Sequence, residues 1–271
     1  MQCRINGVLV NYVEHGDGVP LVALHGAGVD HREIEAAIEA IVPRTGYRRI
    51  YPDLPGMGLS TTDDLTGNDD VVTLLGDFID HIDTGPVMLF GHSYGAYLAR
   101  GVAGRRPGVV LGLALVCPLA EQSRNVPGQS VVRDDAAAYA ELEPAQRAGF
   151  DEYFVLRTPA MAHRYRNYVV PGTTLVDEAA LGTIFAGWAI DIGSSAFSGP
   201  TLIVAGRRDS VVGYADAVEL LDRYPRATLG VIENAGHALM HEQPEVLAAL
   251  VGEWLARAGT TAGTEESIDN R

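Results

Sequence analysis

Compact apolar runs punctuate the chain at Pro20 to Leu24, Arg49 to Tyr51, Val87 to Phe90, Val110 to Cys117, Thr201 to Ala205 and Thr228 to Ile232. Runs this short, with apolar side chains on both faces, predict buried strands. Ahead of them Val8, Val10 and Tyr12 recur at every second position after Asn6-Gly7, a dipeptide suited to the positive φ angles of a tight turn. The N-terminus therefore predicts a hairpin.

Between most of these runs the apolar period lengthens to that of a helix. Ile34, Ile38, Ile41 and Val42 share one face before Pro43, and Asp30 to Glu33 has the spacing of a capping box. Val71, Leu74, Leu75, Phe78, Ile79 and Ile82 form a second stripe. A third helix is predicted after Ser93 and a fourth over Ala215 to Arg223. The last opens with Pro244 at an N1-like position and buries Leu247, Leu250, Val251, Trp254 and Leu255. Alternating strands and helices call for an α/β fold, a mostly parallel sheet flanked by helices with right-handed crossovers.

Residues 118–198 break this rhythm, with no convincing strand and several short helical pieces rich in Ala, Arg and Tyr. We read them as an inserted helical cap between two parts of one core, 1–117 and 199–257. An insertion after a strand's C-terminal end lies over the crevice where open α/β sheets bind ligands. The polar, small-residue stretch 258–271 reads as a disordered tail.

Composition narrows the class. With 271 residues, 47% hydrophobic, the chain can bury one large core without disulfide or metal support. Its two cysteines, Cys3 and Cys117, lie far apart and lack metal-ligand spacing, which predicts free thiols. The first residues show no charged segment followed by an apolar one, and no apolar run approaches membrane-spanning length. These features predict a cytoplasmic protein. A net charge of −15 repels nucleic acid and anionic membrane, so neither is expected as a partner. No cofactor or metal is expected. The histidines His15, His25 and His31 lack the spacing of a metal site, and no glycine-rich nucleotide loop follows a strand.

Candidate chemistry centres on Gly91-His-Ser-Tyr-Gly95, directly after an apolar strand and opening a helix. G-x-S-x-G alone is unspecific in a chain with 31 glycines, but this context is that of a nucleophile elbow. A serine in a sharp strand-to-helix turn is crowded two residues before and after, so Gly91 and Gly95 serve as steric accommodations for Ser93. A serine hydroxyl needs a base oriented by a carboxylate. Asp209 follows the strand ending at Ala205 and His237 follows the strand ending at Ile232, giving the order nucleophile, acid, histidine. Glu233 and Asp216 are the fallback acids. The loop His25-Gly26-Ala27-Gly28 follows the first buried strand, so the backbone N–H groups of Ala27 and Tyr94 are the candidate oxyanion donors. His25 reads as a side chain that fixes this loop, and His92 as a packed elbow residue.

The segments LHGAG, DLPGMG, GHSYG, GRRD and NAGH together resemble the α/β-hydrolase fold family over residues 4 to 257. The resemblance implies an eight-stranded sheet with an antiparallel first hairpin, a helical cap after the sixth strand, and a Ser-His-Asp triad needing no cofactor. In it the turn at Asp53 is structural. A serine at position 93 disfavours the haloalkane dehalogenases and epoxide hydrolases, which use an aspartate.

The expected function is a serine hydrolase acting on a small to medium carboxylic ester through an acyl-enzyme. Carbon–carbon hydrolysis, perhydrolysis and a biosynthetic tailoring step use the same triad, and a ligand sensor with negligible turnover is the alternative outside enzymology. Tyr139, Tyr153, Phe154, Tyr165, Tyr168, Phe185 and Trp188 are candidate pocket walls, and Arg157, Arg164 and Arg166 candidate carboxylate holders or solvated charges. The expected partner is a small-molecule substrate, with the protein a monomer or homodimer.

Overall fold

The computed structural model describes residues 1–82, 84–119, 125–193 and 197–265, the last six of these by backbone alone. β1 (Gln2–Ile5) and β2 (Val8–His15) form the predicted hairpin, with Asn6 and Gly7 at φ 51° and 93°. β3 (Val19–Leu24), β4 (Tyr47–Pro52), β5 (Val87–His92) and β6 (Val110–Val116) follow. β7 (Arg133–Asp134) and β8 (Leu156–Arg157) pair with each other outside the main sheet, a short ladder that the apolar pattern did not reveal. Two-residue strands are too short to leave a periodic signature. β9 (Thr201–Gly206) and β10 (Ala227–Ile232) complete an eight-stranded sheet in the order β1-β2-β4-β3-β5-β6-β9-β10. Only β2 pairs antiparallel to its neighbours β1 and β4.

α1 (His31–Ile41), α2 (Asn68–His81) and α3 (Tyr94–Arg105) precede the insertion. Within it lie α4 (Arg147–Tyr153), α5 (Pro159–Arg164), a π-turn at Tyr165–Val169 running into α6 (Val170–Gly172), and α7 (Glu178–Ala186). α8 (Ala215–Arg223), α9 (Leu239–Glu242) and α10 (Pro244–Glu265) follow. The apolar stripes of α2, α3 and α8 cover one sheet face, and those of α1 and α10 the other. Trp254 is fully buried in the second layer, where its indole N–H donates to the Pro200 carbonyl at 3.1 Å. Its ring contributes a few kcal/mol of burial without leaving a polar atom unpaired.

Three expectations need correction. β10 is half-buried rather than buried, because as the outermost strand it has β9 alone as neighbour. Asp30 caps α1 by accepting the Arg32 N–H at 3.0 Å, but Glu33 does not close a capping box; its side chain turns into the protein. The polar stretch from 258 is not a disordered tail throughout: α10 continues to Glu265, and residues 266–271 lie outside the described residues.

The segment between β6 and β9 has its own small core, in which Phe150, Phe154 and Tyr165 contact one another and Ala238 joins from the main body. It is pinned at separated points. The Gly58 N–H donates to Leu175 O at 2.7 Å, Asn68 N–H to Gly187 O at 2.9 Å, and the Val155 and Leu156 N–H groups to Glu242 Oε1 at 2.7 and 2.9 Å. Cys3 and Cys117 are free thiols, and no helix among the described residues is long and apolar enough to cross a membrane.

Candidate active site

The sharp turn between β5 and α3 puts Ser93 at φ 52°, ψ −116°, a region that costs a non-glycine residue on the order of 1–3 kcal/mol. The turn is held by the Ser93 N–H donating to Val116 O at 2.9 Å and by the Ala96 and Tyr97 N–H groups returning to Ser93 O. A Cβ on Gly91 would lie 2.4 Å from Gly95 O, and one on Gly95 would lie 2.2 Å from Leu24 O. Backbone carbonyls cannot yield as side chains do, so both positions are closed to anything larger than glycine.

Two further elements converge on this serine. His237, in the loop between β10 and α9, has Nε2 3.0 Å from Ser93 Oγ, and its Nδ1 lies 2.8 Å from Asp209 Oδ2. Asp209 stands just past the C-terminal end of β9 and is 0% exposed. Its other oxygen, Oδ1, accepts the Val211 and Val212 N–H groups at 2.9 and 3.0 Å. Burial opposes ionisation of Asp209, but His237 and the two backbone donors outweigh it and keep the carboxyl below its usual range. An ionised Asp209 accepts a hydrogen bond from the Nδ1–H, which holds the proton on Nδ1 and leaves the Nε2 lone pair to accept from the serine hydroxyl. Neither fallback acid takes this place: Glu233 is drawn outward to Arg208 at 2.6 Å, and Asp216 lies in the first turn of α8.

The two supporting histidines behave as packed side chains. His25 accepts the Leu54 N–H on Nε2 at 2.9 Å and donates from Nδ1 to Gly26 O at 2.7 Å, bracing the loop of Gly26, Ala27 and Gly28. Burial keeps it neutral. His92 donates from Nε2 to the His237 carbonyl at 3.1 Å, its ring 5.0 Å from that of His237, and burial pulls its pKa down to about 4. Tyr94 is the first residue of α3, so its N–H belongs to the set that a helix leaves without an internal acceptor. Asp53 accepts from His31, Asn11 and Leu59, which makes it the strut of its turn.

Several buried groups around the site carried no signal of that placement in the sequence. Glu33, 0% exposed, accepts from the Tyr153 hydroxyl and from His241 Nε2, each at 3.0 Å. Burial alone would raise its carboxyl, but the His241 hydrogen bond, the nearby His92 ring and Tyr153 hold it at about 2. Glu242 accepts three backbone N–H groups: Val155 and Leu156 from the insertion, and Gly236 beside His237 at 2.7 Å. One carboxylate thus splices the insertion to the histidine loop. Cys117 lies beneath the same loop, its buried thiol pushed well above its ordinary pKa.

Ser93 and His237 open onto a cavity of about 320 Å³. Gly26, Ala27, Gly28 and Val29 form one wall; the insertion supplies Gly149, Glu152, Tyr153, Tyr165, Val169 and Thr173. Of the seven aromatic candidates only Tyr153 and Tyr165 line it. Phe154 is insertion core, and Phe185 and Trp188 pack against Tyr94. Tyr139 donates to Asp151, and Tyr168 lies over Arg164. None of the three arginine candidates lines the cavity. Arg157 pairs with Asp151, Arg166 with Glu141, and Arg164 reaches His241.

A family model described as the alpha/beta hydrolase family matches residues 21–250. The chain belongs to this family. This α/β-hydrolase is 27% identical to an (E)-2-((N-methylformamido)methylene)succinate hydrolase of Acinetobacter baylyi, over 92% of this chain and 95% of that one. It is 26% identical to a 2-hydroxymuconate semialdehyde hydrolase of a Pseudomonas species, over 94% and 93%. Among solved structures, an alpha/beta superfamily hydrolase from Oenococcus oeni superposes with a TM-score of 0.83 at 25% identity, covering 96% of this α/β-hydrolase and 99% of that chain.

Proposed function

We propose that the protein is a serine hydrolase that cleaves a small carboxylic ester through an acyl-enzyme. The observation that carries this reading is the unbroken line Ser93 Oγ, His237 Nε2, His237 Nδ1, Asp209 Oδ2 at 3.0 and 2.8 Å. Ser93 Oγ attacks the acyl carbon while His237 Nε2 takes its proton, and Asp209 stabilises the imidazolium that forms. The negative charge on the former carbonyl oxygen falls to the N–H groups of Ala27 and Tyr94, each such donor being worth about 3–4 kcal/mol in the transition state. His237 then protonates the leaving alcohol, and a water deprotonated by His237 releases the acid and restores Ser93. The insertion acts as the cap that shapes the acyl cavity. The free thiols of Cys3 and Cys117 support a reducing, cytoplasmic setting.

Carbon–carbon hydrolysis is the second reading, favoured by the likeness to the 2-hydroxymuconate semialdehyde hydrolase. The cavity lining favours the ester. A dienoate carries a carboxylate, and the described lining residues supply no arginine to meet it.

Labelling by a fluorophosphonate, mapped to the modified peptide, together with turnover of p-nitrophenyl esters of graded acyl length, tests the proposal. Stoichiometric modification of Ser93 with ester turnover is expected. Unlabelled, inert, folded protein overturns it and moves the ligand-sensing reading ahead. Labelling with turnover confined to dienoates would favour carbon–carbon cleavage.

A further inference from the structure

The cavity wall contributed by α4 and the π-turn has a definite chemical character. Glu152 lines it with no hydrogen bond or ion pair to any described residue, and it faces the same space as Tyr165, whose hydroxyl it helps push up in pKa after burial. Tyr153 adds a second ring, 5.9 Å from His237 and held by its hydroxyl bond to Glu33. An exposed carboxylate and two electron-rich rings lining one cavity supply the combination that binds an alkylammonium group, through charge and through the ring faces. Around it, the net charge of −15 draws cations inward and repels anions.

Resting on the serine-hydrolase reading, we infer that this cavity selects acyl substrates bearing a cationic amino or quaternary ammonium group, and that Glu152 is the residue setting that preference. A carboxylate-bearing acyl group meets like charge from Glu152 in the same place. The preference is therefore opposite to the acidic substrate that the A. baylyi relative's printed name carries.

Three p-nitrophenyl esters of matched length test it: of γ-trimethylammoniobutyric acid, of pentanoic acid, and of glutaric acid with its second carboxyl free. Rates are corrected with Ser93→Ala protein. The cationic ester is expected to exceed the anionic one in kcat/KM by about tenfold at low salt, less as ionic strength rises, and Glu152→Gln to cut that ratio about fivefold. An equal or reversed preference, or a ratio unchanged in Glu152→Gln with unaltered melting, overturns the inference while ester turnover and Ser93 labelling leave the hydrolase reading standing. Binding of choline to Ser93→Ala protein, compared with its neutral carbon isostere by calorimetry, reports recognition without turnover. Choline favoured over the isostere, and the advantage lost in Ser93→Ala/Glu152→Gln, supports the inference even if no ester is cleaved; no difference between the two ligands overturns it.

Discussion

Replacing Asp209 by Asn changes one atom and leaves the volume intact, yet the surroundings dictate a large effect. Oδ1 accepts two backbone N–H groups, from Val211 and Val212, while Oδ2 faces His237 Nδ1. An asparagine must choose. With its NH₂ toward Val211 and Val212 it sets donor against donor and leaves buried N–H groups unmet, at about 1–3 kcal/mol each. The amide oxygen therefore stays on the two valines, and the NH₂ donates to His237 Nδ1. That fixes the imidazole proton on Nε2, against Ser93 Oγ, where no lone pair remains to take the serine proton. Loss of the base in this way is worth about 10⁴ in kcat, or about 5.5 kcal/mol of barrier. The assay is kcat on a p-nitrophenyl ester, with thermal melting to confirm the fold. A loss of less than tenfold, with the fold intact, would refute the assignment of Asp209 and the tautomer reasoning together.

Other perturbations test different joints. Glu242→Gln cannot accept all three backbone N–H groups from one amide oxygen, so we expect about 2 kcal/mol less stability, a melting point lower by about 5 °C, and reduced kcat; unchanged melting would show that the splice between insertion and histidine loop is dispensable. Gly95→Ala places a Cβ 2.2 Å from Leu24 O, so soluble protein with native melting would contradict the geometry of the elbow; the expected cost is about 3 kcal/mol or more. His92 is buried neutral, with its pKa lowered from 6.5 to about 4, so its contribution to stability is complete above pH 6.5 and is lost as pH falls toward 4. Denaturant unfolding should show about 2 kcal/mol lost from this residue between pH 7 and pH 5, a slope that His92→Gln removes; equal slopes would argue against a neutral buried ring. Below pH 4 a second loss follows as Glu33 and Asp53, both held at about 2, are protonated, with Glu242, raised by burial, working in the opposite sense.

The fold was legible because each apolar run and stripe is a local record of what it touches. The runs at Pro20, Val87 and Thr201 became sheet strands, and the stripes of α1, α2 and α10 became its two covering layers. Ser93, Asp209 and His237 were legible for a related reason. Residues at the C-terminal ends of parallel strands are necessarily gathered along one edge of the sheet, so their position in the chain already implied proximity. Glu33 and Glu242 were not legible. An acid in a first helical turn, or near a helix end, has the same local signature whether it faces water or the interior.

Sequence alone therefore determined the strands of the main sheet, the helices that cover it, the layering and the three residues that share the sheet edge, since periodicity and strand-end placement follow from short-range geometry. It did not determine what the insertion presents to them. The turn of Glu33 toward Tyr153 and His241, the splice made by Glu242, and the choice of Tyr153, Tyr165 and Glu152 over five other aromatics and three arginines arise from contacts between residues up to 208 positions apart. Such contacts are decided only when the layers pack, because each depends on which buried polar groups are left needing a partner.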